Sequence, residues 1–353
     1  MFTRPRAVIR TSQIAENWRI LDRLAPHRET GAVVKADAYG HGAAAAGRAL
    51  ADAGCRSFFV AHVFEGLELR QALGRGPDIY VFHGAATHEI DTCAEHKLIP
   101  VLNTMQQVGL WRGRLADRAP AALHFDTGMN RLGLRPDDTP AVRTLLAGAE
   151  IGLVMSHFAC ADEPKHPMNA EQLAAFEAIA KGWPGVKRSL ANSAGLALAG
   201  AGFDLTRPGI ALYGGGFLPK GLGLEPAMTL EAPILEIIEV ETGETTGYGA
   251  THRFDGPRRL ATVAFGYADG LPRAASNSGF AFVDGVKCPI VGRVSMDLTT
   301  LDVSEVRDRP APGMVAEFLG AQAGLEAPAA AAKTLAYELL TGLGARVERI
   351  WRN

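Results

Sequence analysis

The sequence predicts an eight-stranded β/α barrel followed by a mainly β domain. Residues 11–212 repeat a short β-rich apolar run, a polar or glycine-containing break and an Ala/Leu-rich segment with helical spacing. After the glycines at 214–216, strand-like runs replace the long helical segments. The chain has 353 residues, of which 47% are hydrophobic, so it is long enough for one large domain and a smaller one.

The first half contains eight candidate strands that alternate with helices. They begin near Ala32, Ser57, Asp78, Leu98, Ala121, Ile151, Val186 and Thr206. The first helix presents Ile14, Trp18 and Leu21 on one face. A second helix runs from about Ala43 to Ala53 and ends at Gly54. Eight such units suit a closed barrel better than the alternative, an open doubly wound sheet.

The second half is predicted to be mainly β. Its strand-like runs cover Ile234 to Val240, Leu260 to Phe265 and Met296 to Val303. Phe280 to Val291 is predicted to be a hairpin, with Asp284-Gly285 at its turn. A last helix is expected from about Pro328 to Leu340.

These changes of pattern predict three segments. Residues 1–10 form a strand that joins the C-terminal domain, residues 11–215 form the barrel, and residues 216–353 form the β domain. We interpret the triple glycine at 214–216 as the connection between the two domains.

Composition excludes several classes of function. The formal net charge of −2 gives no basic surface for a nucleic acid. The N-terminus has no apolar run of signal-peptide length, and no stretch approaches about 18 apolar residues, so we expect a cytoplasmic protein without a membrane anchor. The four cysteines lie far apart, which favours reduced thiols over disulfides. Cys93 and His96 have no second pair, and no metal site is expected.

Unusual polar residues stand at the carboxyl ends of the candidate barrel strands, where a barrel has its pocket. They are Lys35, Asp126 to Arg131, His157, Asn192-Ser193 and Arg207. A lysine in an apolar strand is costly to bury unless it is paired or neutral, and a neutral lysine is what Schiff-base chemistry requires. The alternative is a lysine whose stem packs while its amine reaches solvent. Tyr39, Gly40 and Gly42 follow the lysine where the strand should meet a helix, and they favour the catalytic interpretation.

Other polar segments leave two interpretations open. The segments 192–195 and 207–210 expose backbone N–H groups that could together bind a phosphate, but an N-cap and a turn also explain them. Arg131 could bind a carboxylate through its planar fork or form a structural salt bridge. Tyr248 and Tyr267 stand in glycine-rich segments of the second half, where a tyrosine is more often a packing residue.

Taken in order, these segments resemble the alanine racemase family of pyridoxal phosphate enzymes. The matching segments are 32–42, 126–133, 156–159, 191–193, 207–214, 248–251, 266–270, 292–297 and Tyr337. They are spread along nearly the whole chain, from residue 32 to residue 337. The resemblance implies pyridoxal 5'-phosphate as cofactor, interconversion of L-alanine and D-alanine, and supply of D-alanine for peptidoglycan. It also implies a homodimer whose active sites lie between the barrel of one chain and the β domain of the other.

The resemblance further implies a role for individual residues. Lys35 is expected to carry the cofactor covalently and to act with Tyr248 as one of two bases. The residues expected to hold the phosphate are Tyr39, Ser193, Gly209, Ile210 and Tyr337. Those expected around the cofactor ring and the substrate are His157 beside the ring, Arg207 at the pyridine nitrogen, Arg131 at the phenolic oxygen and the substrate carboxylate, and Met296, which reaches in with Tyr248 from the partner chain.

One position departs from the family's pattern. Where many members carry a lysine modified to a carbamate, this sequence has His124, which cannot supply the same anion. The sequence therefore leaves open what holds Arg131.

Three other functions remain possible at this stage. They are a racemase of broader or different specificity, acting for example on serine or a basic amino acid, a non-catalytic carrier of the cofactor, and a decarboxylase with a related barrel. A carrier would need neither the long second half nor Tyr248, and the decarboxylase would lack the Tyr248 phenol.

Overall fold

The computed structural model describes residues 3–216 and 221–353. Residues 1, 2 and 217–220, which the predicted N-terminal strand and β domain include, lie outside the described residues. The described chain divides into two compact units. The barrel unit contains Ile14–Leu212, Gly216 and Gly221–Leu224, and the β unit contains Thr3–Gln13, Tyr213–Gly215 and Glu225–Asn353.

The first half of the described chain alternates strands with helices. The elements are β1 (Arg6–Arg10), α1 (Thr11–Leu24), β2 (Glu29–Thr30), β3 (Ala32–Val33), α2 (Lys35–Gly40), α3 (Ala43–Ala53), β4 (Ser57–Val60), α4 (Val63–Leu73), β5 (Asp78–Val81), α5 (Ile90–Glu95), β6 (Leu98–Leu102), α6 (Met105–Arg114), β7 (Ala121–His124), α7 (Thr139–Leu145), β8 (Ile151–Met155), α8 (Pro167–Ala180), β9 (Lys187–Ser189) and β10 (Leu205–Thr206). The predicted strand starts agree with the observed ones to within one residue.

Backbone hydrogen bonds close the barrel. Strands β3 to β9 form one parallel sheet of seven strands in sequence order, and β10 pairs in parallel with β2. At one edge of the sheet, the N–H groups of Gly31 and Val33 donate to the carbonyls of Thr206 and Pro208, both at 2.9 Å. At the other edge, the Arg207 N–H donates to Ala191 O at 2.9 Å. The barrel prediction is confirmed, and the open-sheet alternative is wrong.

The strands and first helices of the barrel unit form for the reasons that the sequence indicates. Every residue of β4 and β6 is buried, as expected for parallel strands that are covered on both faces. Helix α1 buries Ile14, Trp18 and Leu21 on one face. Helix α3 ends at Gly54, whose φ of 119° suits the left-handed residue that commonly ends a helix.

The second half of the described chain is mainly β. Its elements are β11 (Met228–Val240), β12 (Thr245–Thr246), β13 (His252–Arg253), β14 (Arg258–Val263), β15 (Phe280–Val283), β16 (Val286–Pro289), β17 (Thr299–Asp302), β18 (Val315–Leu319), α9 (Glu326–Ala331), α10 (Ala336–Thr341) and β19 (Glu348–Arg352). Strand β1 pairs antiparallel with β11 and parallel with β19. Strand β11 pairs with β18 from Leu230 to Pro233 and with β14 from Ile234 to Val240, and the β14 pairing has a register shift between Ile234 and Glu236.

The predicted hairpin is confirmed, whereas the predicted last helix is wrong. Asp284 and Gly285 have φ of 47° and 74° between β15 and β16, as a two-residue hairpin turn requires. The Ala-rich run that was expected to be one helix is divided into α9 and α10. Lys333 takes a φ of 56°, and the Thr334 N–H bonds to Ala329 O at 2.9 Å, which closes a left-handed C-terminal cap. Glycine usually marks such a cap, and its absence hid this one.

Two kinds of feature are not found within residues 3–216 and 221–353. No helix there has the length and hydropathy needed to cross a bilayer. The described His, Cys, Asp and Glu side chains form no group of three that could hold a metal ion.

Gly31 lies at the edge where the barrel closes, and a side chain there would collide with its neighbours. A Cβ atom at Gly31 would lie 2.9 Å from Phe59 Cε2 and 3.1 Å from Thr206 O. We expect Gly31→Ala to lower the free energy of unfolding by about 1–3 kcal/mol, as measured by urea denaturation. Gly152→Ala in β8 is the matched control, since a Cβ there meets nothing within 4 Å. Equal stability of the two variants would contradict the prediction.

Candidate active site

Lys35 lies where β3 ends, and an unusual backbone segment follows it. Residues 36–39 have φ of 52–54° and ψ of 43–50°, which is one turn of left-handed helix made of non-glycine residues. Such a turn costs about 1–2 kcal/mol per residue, so the four residues together cost about 4–8 kcal/mol. Neighbouring groups hold it: the Ala38 N–H donates to Val34 O at 2.9 Å, and His41 Nδ1 donates to Ala38 O at 3.0 Å.

Glu65 also holds this turn, and the sequence analysis missed it. Its Oε1 accepts the Ala36 N–H at 2.7 Å. The signal available in the sequence was an acidic residue in the first turn of a helix, three residues after the N-cap His62. That signal indicates a helix cap and does not point to the segment after Lys35.

The environment of Lys35 favours a neutral amine. Its side chain is partly buried, and Nζ lies 5.8 Å from the centroid of the Phe82 ring. Burial lowers the pKa of Lys35, the Arg131 charge lowers it further, and Glu65 opposes them. Because only a neutral amine attacks a carbonyl, these surroundings increase the nucleophilic fraction of Lys35.

The structure brings together Tyr39, Ser193 and Gly209. Tyr39 Oη packs against the Gly209 backbone, since a Cβ on Gly209 would lie only 2.4 Å from it. Ser193 Oγ accepts the N–H groups of Gly209 at 2.9 Å and Ala211 at 3.3 Å. With both oxygen lone pairs used, the Ser193 hydroxyl is left as a donor. Ile210, which follows Gly209 in the sequence, is buried.

Arg207 follows β10 and is almost completely buried, with 2% of its surface exposed. Its guanidinium donates to Ser189 Oγ, to Ser156 O at 2.5 Å and to Leu190 O at 3.5 Å. Burial lowers the pKa of Arg207 to about 9, so the group keeps its charge at neutral pH. The buried Nε has no hydrogen-bond partner among the described residues. The Nε–H is therefore available as a donor to an acceptor atom of a bound group.

Two histidines near Arg207 are neutral at ordinary pH. His157 follows β8, and burial, followed by the charge of Arg207, holds its pKa well below the usual value. His124 ends β7, and the same two causes lower its pKa to about 4. The pocket therefore gains no further positive charge from these imidazoles.

A hydrogen bond to Asn103 fixes the tautomer of His124. Asn103 Nδ2 donates to Phe82 O at 2.9 Å and to Val101 O at 2.8 Å, so its Oδ1 is the acceptor. His124 Nδ1 lies 2.8 Å from that Oδ1 and must carry the proton, which leaves Nε2 as an acceptor. The sequence analysis missed Asn103, although it follows β6 at the carboxyl end of the barrel, the place where polar residues were sought.

Asp126 shapes the loop that carries Arg131. Its Oδ1 accepts the N–H groups of Gly128 at 2.9 Å and Asn130 at 3.1 Å, and its Oδ2 pairs with Arg135 at 3.3 Å. Arg131 itself has no ion pair among the described residues, so the salt-bridge interpretation finds no support. Its charge instead lowers the pKa of Lys35, His124 and His157.

The other predicted site residues lie in the β unit. Tyr248 stands between Gly247 and Gly249, which have φ of 73° and 75°, and 73% of it is exposed. Met296 is 54% exposed, and its carbonyl accepts the Ala268 N–H at 2.9 Å. Tyr337 is on α10. These residues belong to a different unit from Lys35 and Arg207.

Known proteins share this fold and much of this sequence. The family described as alanine racemase, N-terminal domain, matches residues 9–216, and alanine racemase, C-terminal domain, matches residues 227–351. An alanine racemase from Acidiphilium cryptum is 47% identical over 98% of this chain and 98% of its own. One from Cereibacter sphaeroides is 46% identical over 95% of each chain. The structure of an alanine racemase from Bartonella henselae with covalently bound pyridoxal phosphate has a TM-score of 0.94 and 35% identity, and the match covers 99% of this chain and 100% of that one. The chain belongs to the alanine racemase family.

The neutral His124 should make stability depend on pH. Its pKa is about 4 in the folded chain, against about 6.5 when unfolded, so the unfolded state binds the extra proton. Stability is complete above pH 6.5 and falls as the pH drops toward 4, with a loss of about 2 kcal/mol at pH 5. We expect His124→Asn, whose Nδ2 stands where the histidine Nδ1 was and can still donate to Asn103, to show a smaller loss in urea unfolding between pH 7.5 and pH 5. His157 acts in the same direction, so some loss should persist, and an unchanged loss in the variant would contradict the assignment.

Proposed function

We propose that this chain interconverts L-alanine and D-alanine with pyridoxal 5'-phosphate as cofactor. The observation that carries the proposal is the Lys35 amine, whose pKa is lowered at the carboxyl end of a barrel strand. The Bartonella henselae relative holds its pyridoxal phosphate covalently. Lys35 is the residue of this chain suited to such a bond, because the bond requires a neutral amine.

The residues present fit this cofactor. Lys35 would bind its aldehyde carbon, and Arg207, with its buried and unpartnered Nε–H, would face the ring nitrogen. His157 would lie beside the ring. The residues that would hold the phosphate are Tyr39, Ser193, Gly209, Ile210 and Tyr337, of which Ser193 has a free hydroxyl donor. When bound, pyridoxal phosphate supplies an electron sink that makes the Cα proton of an amino acid acidic.

Two bases exchange the Cα proton in this proposal. Inversion of a stereocentre requires a proton to leave from one face and another to arrive at the opposite face. Lys35 Nζ serves one face and Tyr248 Oη the other, and each has a usual pKa of about 10 that must fall toward working pH. Burial and Arg131 already lower the pKa of Lys35.

The two arginines bind and orient without exchanging protons. Arg207 keeps its charge at neutral pH, so it would donate Nε–H to the ring nitrogen and would leave that nitrogen unprotonated, which would weaken the electron sink and limit side reactions such as transamination. Arg131 binds the substrate carboxylate. Because His124 is neutral, it does not compensate the Arg131 charge as an anion would, and that charge remains available to a carboxylate.

A homodimer with shared active sites is part of the proposal. Tyr248 and Met296 are 73% and 54% exposed in their own chain, as expected of residues that enter the pocket of a partner. In this arrangement residues 1–10 join the β domain, residues 11–215 bind the cofactor, and residues 216–353 complete the partner's site. The enzyme acts in the cytoplasm without a nucleic acid or membrane partner and supplies D-alanine for peptidoglycan.

The reaction can be tested by chiral chromatography. L-alanine incubated with the protein and pyridoxal phosphate should approach equal amounts of the two enantiomers, whereas L-serine and L-lysine should remain unchanged. Lys35→Ala should lose both the visible absorbance of the bound cofactor and this activity. Formation of D-serine or D-lysine in place of D-alanine would assign a different substrate. Absence of any inversion would overturn the proposed reaction. Normal turnover in Lys35→Ala would overturn the role of Lys35.

Mixing two inactive variants tests the shared site. Lys35→Ala and Tyr248→Phe are each expected to be inactive. In a mixed dimer with shared sites, one site carries both defects and the other carries none. Mixing should therefore restore up to about a quarter of the wild-type activity, since half of the chains pair as mixed dimers and each has one intact site. If each chain held its own site, the mixture would stay inactive.

A further inference from the structure

A carboxylate from another helix bonds to the first residue of the left-handed turn after Lys35. Glu65, in the first turn of α4, accepts the Ala36 N–H through Oε1 at 2.7 Å. Through Oε2 it accepts the Ala61 N–H at 2.7 Å and the His62 N–H at 3.1 Å. One side chain thus joins the residue that follows Lys35 to the segment between β4 and α4.

We propose that Glu65 is a positioning residue for Lys35, and that by fixing the start of the left-handed turn it sets where the Lys35 amine points. Ala36 is the first residue of the turn, and its N–H is in the peptide group that begins with the Lys35 carbonyl. A shift of this peptide group that rotation about ψ of Lys35 does not absorb moves the Lys35 Cα, and the side chain moves with it. The proposal rests on the proposed function, in which Lys35 binds pyridoxal phosphate.

A carboxylate is required at this position because it only accepts hydrogen bonds. Both of its oxygens face N–H donors. A glutamine has one acceptor oxygen and one NH₂ group, so whichever way it turns, its NH₂ faces a backbone N–H. The uncharged isostere therefore cannot replace Glu65 without breaking one of the two sets of bonds.

The charge of Glu65 gives it a second effect on Lys35. The titratable and charged groups that act on the Lys35 amine are Arg131 and Glu65, and the amine in turn acts on His83 and His157. Of these, Glu65 is the acid, and it raises the pKa of Lys35 against the effects of burial and Arg131. Removal of its charge should lower that pKa.

The test is the rate at which the full-length chain, stripped of cofactor, regains visible absorbance when pyridoxal phosphate is added, measured from pH 6 to pH 10. The plateau rate reports how well the Lys35 amine is placed, and the midpoint of the profile reports its pKa. We expect Glu65→Gln to lower the plateau about tenfold and to move the midpoint to lower pH. Glu65→Asp keeps the charge but shortens the reach, so it should lower the plateau and leave the midpoint in place.

Asp37→Asn is the matched control. Asp37 lies in the same turn, and its Oδ1 accepts the Ala43 N–H at 2.7 Å, a bond that an asparagine oxygen also accepts. Asp37→Asn should therefore leave both the plateau rate and the midpoint unchanged. A lowered plateau in this variant would overturn the specific role of Glu65. A wild-type plateau in Glu65→Gln would overturn the proposal, and if that variant does not fold, a wild-type plateau in Glu65→Asp would do so. Failure of the proposed function is distinct, because the unsubstituted chain would then gain no absorbance if Lys35 does not bind the cofactor, or would gain it without inverting alanine if the chain only carries the cofactor.

Discussion

The buried guanidinium of Arg207 is the group on which the arrangement of the barrel pocket depends. It donates to Ser189 Oγ at the end of β9 and to Ser156 O just after β8, while its own backbone follows β10. One cation therefore holds three successive strand ends. A buried charge is tolerated only when hydrogen bonds satisfy it, so these acceptors and the guanidinium constrain one another.

The same charge adds to the effect of burial on the protonation of its neighbours. Burial and Arg207 together keep His124 and His157 neutral, and the Arg131 charge acts on both of them and on Lys35. At neutral pH the pocket thus has two charged arginines, a lysine biased toward its neutral form and imidazoles that add no charge. This balance suits ligands that carry a phosphate and a carboxylate, since fixed positive groups attract both while the amine remains a nucleophile.

Much of the fold could be predicted from the sequence, because the relevant signals are local. The strand starts of the barrel follow from apolar runs bounded by polar or glycine residues, and the hairpin at Asp284-Gly285 follows from its turn residues. The prediction of one helix from Pro328 to Leu340 is wrong because Lys333 adopts a left-handed conformation that glycine usually marks. A search for glycine at the ends of helices does not detect a cap formed by a lysine, which rarely adopts the left-handed conformation.

For the candidate site, the sequence by itself determined the residue types at the strand ends and the family to which they point. Lys35, His157 and Arg207 stand out because charged or titratable groups interrupt apolar segments, which local reading detects. The tertiary structure alone decided how they are held. Glu65 contacts Ala36 across 29 positions of the chain, and Asn103 fixes the His124 tautomer across 21. These contacts form because the barrel brings the ends of successive strands together. Local sequence patterns do not show which distant residues become neighbours in space.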